Sequence, residues 1–91
     1  MLRDRPPPDP DPQMLALGAL GWVLADDDRA GRLLALTGLT PEALRGGLHD
    51  PGTLAAVLDF LRAHEPDLIA AAEALDVSPR QLAAARDRLA R

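Results

Sequence analysis

The stretch Met14 to Ala25, MLALGALGWVLA, runs for twelve residues without a charged or strongly polar side chain. As an α-helix it spans about 18 Å, against about 30 Å for the hydrocarbon core of a bilayer, so it is too short to cross one. A helix apolar on all sides belongs at the centre of a bundle. The stretch therefore predicts a buried helix with the rest of the chain wrapped around it as further short helices.

Composition points the same way. Hydrophobic residues make up 47% of the chain, yet Trp22 and Phe60 are its only aromatics. The core has to come from 18 Leu and 17 Ala, against three Val and one Ile. Leu and Ala favour helix; β-branched and aromatic residues favour strand. At 91 residues the chain is large enough for one small domain. The prediction is all-α: a single compact bundle of five or six short helices over residues 12–91, behind a disordered Pro-rich leader over residues 1–11. The leader carries PPPDPDP, which favours solvated, extended backbone and lacks the flanking residues of a strong SH3 ligand.

Prolines also punctuate the rest. A short polar residue precedes proline at Asp11-Pro12, Thr40-Pro41, Asp50-Pro51 and Ser78-Pro79, with Glu65-Pro66 a weaker copy. The polar side chain accepts a hydrogen bond from an orphan N–H of the first turn, and proline there loses nothing. These pairs predict helix starts. With the Asp26-Asp27-Asp28 run capping one more, the helices are expected near 12–25, 28–37, 41–48, 51–64, 66–75 and 79–90. Leu54, Val57, Leu58 and Leu61 give the fourth the clearest one-sided pattern. Leu33, Leu34 and Leu36 supply apolar surface in the second, and Gly38 stops it. Ser78 and Gln81 fit a capping box. Gly18 and Gly21, on one face of the first helix, imply close approach of a neighbouring backbone.

The chemistry available is narrow. The chain lacks cysteine, tyrosine, asparagine and lysine, and Ser78 is its only serine. Without cysteine there is no disulfide, thiolate nucleophile or Cys-ligated metal. His49 and His64 lie fifteen apart with no further ligands at metal-site spacing, and are expected to be solvated or capping. Three adjacent aspartates cannot all turn toward one cation. No catalytic residue, cofactor or metal is assigned, and the chain is not expected to be an enzyme. No signal-peptide pattern precedes the domain, so a cytoplasmic location is the expectation. All ten basic residues are Arg, as in GC-rich bacterial coding. A net charge of −4 argues against whole-domain nucleic-acid binding.

Residues 68–90, LIAAAEALDVSPRQLAAARDRLA, are similar to the helix-turn-helix of DNA-binding proteins. Ala72 takes the close-packing site, Val77 follows the turn and Leu82 points inward. Asp76 stands where such turns usually have Gly, and Asp tolerates positive φ better than most residues. Residues 78–91 hold four Arg and one Asp, a local charge of +3. On this reading Arg80, Gln81 and Arg86 are the nucleic-acid contacts. Any tight helix pair needs the same small and apolar residues, so packing alone also explains the pattern.

Arg32–Arg45, RLLALTGLTPEALR, and Asp50–Pro79, DPGTLAAVLDFLRAHEPDLIAAAEALDVSP, resemble a family of small bacterial proteins, a domain of unknown function found mainly in alphaproteobacteria. The resemblance runs from about Met14 to Leu89. It implies a short, helical, cytoplasmic protein and brings no catalytic residues. The reading that follows is a small non-enzymatic module that binds an unidentified protein partner through an apolar helical groove or patch, without membrane insertion. The alternative is the helix-turn-helix nucleic-acid binder.

Overall fold

A computed structural model describes residues 10–89. Six helices follow one another: α1 Pro12–Leu24, α2 Asp27–Thr37, α3 Pro41–Gly46, α4 Pro51–Arg62, α5 Glu65–Ala74 and α6 Pro79–Leu89. The described residues contain no strand, so the all-α prediction holds. The first nine residues of the expected leader lie outside the described residues.

The polar–proline pairs act as predicted at four starts. Asp11 Oδ2 accepts from the Met14 N–H at 3.1 Å, Thr40 Oγ1 from Ala43 at 3.0 Å, and Asp50 Oδ2 from Thr53 at 2.9 Å. Ser78 and Gln81 form the capping box in both directions, at 3.0 and 2.8 Å. Asp26 alone of the aspartate run caps α2, its Oδ1 accepting from the Asp28 and Arg29 N–H groups. The fifth start differs. α5 begins at Glu65, ahead of Pro66, and His64 takes the cap position without a side-chain cap bond. Its Nδ1 meets Asp67 Oδ2 at 3.0 Å instead.

Helix ends follow backbone sterics. Gly38 closes α2 at φ 76°. α3 stops at Gly46, two residues short of the predicted end. Beyond it, a Cβ on Gly47 would fall 2.5 Å from Thr53 Oγ1, so only glycine fits against α4 there. After α5, Asp76 takes φ 60°, the conformation predicted for it. The Val77 N–H then reaches the Ala72 carbonyl at 3.0 Å and the Asp76 N–H that of Glu73 at 3.2 Å. That pair of bonds is the Schellman closure, and it satisfies carbonyls that α5 would leave orphaned.

Helices α1, α4 and α6 pack mutually; α2 lies against α1 and α4, and α5 against all three. Val23, Leu33, Leu54, Leu58, Leu61 and Leu82 are fully buried, and no polar or charged described residue is. The periodic face of α4 is thus inside, as predicted. Three expectations are corrected. First, α1 is not enclosed: Met14 is 67% and Leu24 45% exposed. Its neighbours bury only Leu15, Ala16, Ala19, Leu20 and Val23 and cover Leu17, Gly18 and Trp22 in part, because the remaining short helices cannot encircle it. Second, Gly18 packs against the Leu75 side chain and not a backbone, while a Cβ on Gly21 would meet nothing within 4 Å. Third, Leu36 is 74% exposed; it lies three residues past the buried Leu33 but turns off that face. No described helix is long and apolar enough to cross a membrane.

Leu58→Ala should cost about 2–5 kcal/mol in a thermal or denaturant melt, since it opens a cavity among fully buried neighbours. Asp76→Gly should stabilise by up to about 1 kcal/mol, because glycine adopts positive φ without the Cβ penalty.

Candidate interaction surface

The nucleic-acid contacts predicted on α6 separate in space and in commitment. Arg80 lies exposed in the first turn, with no carboxylate partner among the described residues. Gln81 is half-buried and its amide oxygen is spent on the Ser78 N–H. Arg86 turns back toward α4, its Nε donating to Asp59 Oδ1 at 2.7 Å. The carboxylate bond and its charge raise the Arg86 pKa further above its ordinary value. Asp87 sits beside it and pairs with Arg62 at 3.6 Å. Of the three predicted contacts, Gln81 and Arg86 are hydrogen-bonded within the protein and Arg80 is exposed. The helix-turn-helix-like backbone is present, and its second helix is packed against α1, α4 and α5.

The arginines divide by partner. Arg29, Arg32, Arg62 and Arg86 each reach a carboxylate. Arg29 also lies 3.7 Å from the Trp22 ring centroid and donates to the Trp22 carbonyl, which covers one face of the indole and ties α2 to α1. Arg32 ties α2 to α5 through Asp67 at 3.1 Å. Arg45, Arg80 and Arg88 do not reach a carboxylate among the described residues, and the last two line one groove of about 230 Å³ between the start of α1 and α6. Leu15, Ala84 and Pro10 supply its apolar walls. Arg88 Nη1 donates to the Pro10 carbonyl at 3.1 Å, which fixes this cation at the amino-terminal end of α1. A larger, open hollow of about 510 Å³ lies between α4 and α6. Its charged groups are already engaged: Asp50 caps α4, and Asp59 holds Arg86.

The outer side of α1 is the more unusual surface. Met14, Leu17, Gly21 and Leu24 follow one another at spacings of three, four and three, on the side away from the buried residues. Met14, Gly21, Leu24 and Ala25 are exposed and Leu17 is half-buried. Apart from Gln13 at its amino end, this solvent-facing side has no polar residue, which departs from the usual pattern of amphipathic surface helices. Its two ends differ in charge. Asp27 and Asp28, both exposed, follow its carboxyl end, and Arg80 and Arg88 flank its amino end. Sequence reasoning missed this face because a uniformly apolar stretch reads as buried. The histidines stand apart: His49 is exposed, 3.4 Å from Gln13 Nε2, and His64 faces Asp67. No described cluster of three or more His, Asp or Glu is placed to hold a metal ion.

A family model matches residues 9–91. The chain belongs to the family described as protein of unknown function (DUF3572). No curated protein and no solved structure matches it. The match takes in all six helices, so the α1 face and the α6 groove both lie within the family's extent.

The capping carboxylate at Asp26 makes one pH-dependent contribution to the stability of α2. The Arg29 and Asp28 N–H groups, with the Arg29 charge, hold the Asp26 carboxyl below its ordinary value of 3.8. A carboxyl depressed in the folded state contributes stability above its unfolded pKa and loses it as pH falls through the folded one. Melting temperature should therefore drop as pH is lowered below about 4, and Asp26→Asn, which keeps the cap acceptor but cannot titrate, should shallow that drop.

Proposed function

We propose that this protein is a non-enzymatic protein-interaction module whose docking face is the uncharged outer side of α1. The observation that carries the reading is the exposure of Met14 and Leu24, with Gly21 between them, on a helix side whose only polar residue is Gln13 at its amino end. Leaving such a side in water forgoes about 25 cal/mol for every Å² that a partner would cover. Contiguous apolar surface on a small domain marks an interaction site. The Arg-edged groove lies beside the amino end of α1, on the Leu15 side of the helix, and sets positive charge next to that end of the face. The nucleic-acid reading is disfavoured by the same geometry. Arg86 is engaged by Asp59, the Gln81 amide by its cap, and Glu73 and Asp76 stand exposed just ahead of α6.

A photo-crosslinking side chain placed at Met14 should yield a discrete protein adduct, one placed at exposed Ala35 on α2 should not, and Gly21→Arg should abolish the first. Gel shift against mixed-sequence duplex DNA should show no salt-sensitive binding near physiological ionic strength. Micromolar binding that Arg80→Ala removes would establish the nucleic-acid reading in place of this one.

A further inference from the structure

We infer that the occupant of the α1 face is α1 of a second copy of this chain, laid antiparallel about a two-fold axis. The inference rests on the interaction reading above and names its partner. The three-four-three spacing of Met14, Leu17, Gly21 and Leu24 is the spacing of a helix-pairing seam. About an axis at its midpoint, Met14 opposes Leu24 of the second copy and Leu17 opposes Gly21. The long side chains thus meet one another at the ends, and the leucine enters the space that glycine leaves. Nothing in the chain itself uses that space, since a Cβ on Gly21 would have no neighbour within 4 Å.

Charge selects the orientation and the partner. Asp27 and Asp28 stand at one end of α1 without a cationic partner among the described residues. Arg80 and Arg88 flank the other end without a carboxylate one, Arg88 held there by the Pro10 carbonyl. Asp11 shares that end and adds one negative charge while it caps α1, so the two arginines leave the end net positive. At the other end Arg29 pairs with Asp26 and leaves Asp27 and Asp28 in excess. Antiparallel pairing brings each acidic end to a basic end, twice. Parallel pairing sets the aspartates against each other. The contact is the same patch on both copies, so it closes as a dimer and does not propagate. A single short helix per copy falls well below the roughly 800 Å² per partner of a tight interface, so the dimer is a weak, reversible one.

Sedimentation equilibrium of the full chain from about 10 µM to about 1 mM, a range in which mass action populates a weak dimer, tests the inference. The expected result is a rise from the 9.7 kDa monomer toward twice that mass, suppressed by salt. Gly21→Arg should keep helicity and melting temperature, because the position is open in the monomer, and abolish the rise. Asp27→Arg with Asp28→Arg should weaken association about tenfold, a change of about 1.4 kcal/mol, and adding Arg80→Asp with Arg88→Asp should restore it. The natural chain has no cysteine, so register can be read directly. A mixture of Met14→Cys and Leu24→Cys chains should form the mixed disulfide in preference to either homodisulfide. Monomer throughout the range, a dimer that survives Gly21→Arg, or preferred homodisulfides would each overturn the inference. A chain that stays monomeric while the Met14 crosslinker still captures a different protein overturns the second-copy inference and leaves the interaction reading standing. A monomer with no such adduct overturns both.

Discussion

Close helix approach through alanine is what the structure depends on. Ala16, Ala19, Ala71, Ala72 and Ala85 are completely inaccessible, spread over α1, α5 and α6. Helix axes come together at the short end of the usual 8–10 Å when the crossing residues are this small. Leucines from α2, α4 and α6 then fill the space beside the crossings, and nearly all of the core is aliphatic. A larger residue at Ala72 or Ala85 would push α6 off α5, and with it the turn at Asp76. The helix-turn-helix resemblance of residues 68–90 uses the same packing: small residues at the crossing, Val77 after the turn and Leu82 inside are what two tightly joined helices require.

The same economy leaves α1 half open. A domain of this size buries a smaller share of its surface than a larger one, and α2, α4, α5 and α6 all gather on one side of α1. On the outer side Leu17 packs partly on the core and Gln13 meets His49, while Met14, Gly21 and Leu24 stay exposed. Among the described residues Met14, Leu36, Leu24 and Ile69 are the exposed large hydrophobics. Two of these four belong to α1, and only there do they continue into further apolar positions along the helix.

Much of the fold was legible in the chain because the signals were local. A polar residue before proline needs only its own first turn to act as a cap, and Asp11, Thr40, Asp50 and Ser78 all do so. The positive φ at Asp76 follows from the turn it must close. What was not legible depends on partners far away in sequence. Periodicity separates an inside from an outside only when polar residues mark the outside, and α1 has none between Pro12 and Leu24 except Gln13. The run therefore read as enclosed. Leu36 misled for a related reason, since Leu33, Leu34 and Leu36 are adjacent apolar residues that one helix cannot all turn inward. At α5 a different competition decided: His64 found Asp67 one turn ahead, and its imidazole makes that contact in place of a cap bond.

Electrostatics then distinguishes the surfaces that packing leaves. Arg29 pairs locally with the Asp26 cap, and the other arginines that reach carboxylates do so between elements, α2 to α5 through Arg32 and Asp67, α4 to α6 through Arg62 and Asp87 and through Arg86 and Asp59. Exposed pairs of this kind contribute little stability each. Their consequence is to neutralise the faces they sit on. Candidate base-reading positions on α6 were assigned from local charge, and the pairing with Asp59 is a contact across 27 residues that local charge does not show. Of the charged groups without an opposite partner among the described residues, Arg80 and Arg88 sit at one end of α1, and Asp27 and Asp28 sit at the other. An uncharged helix side bounded by opposite charges is complementary to itself only when reversed. A partner of a different kind would have to reproduce both the apolar spacing and that reversed polarity, whereas a second copy carries them already.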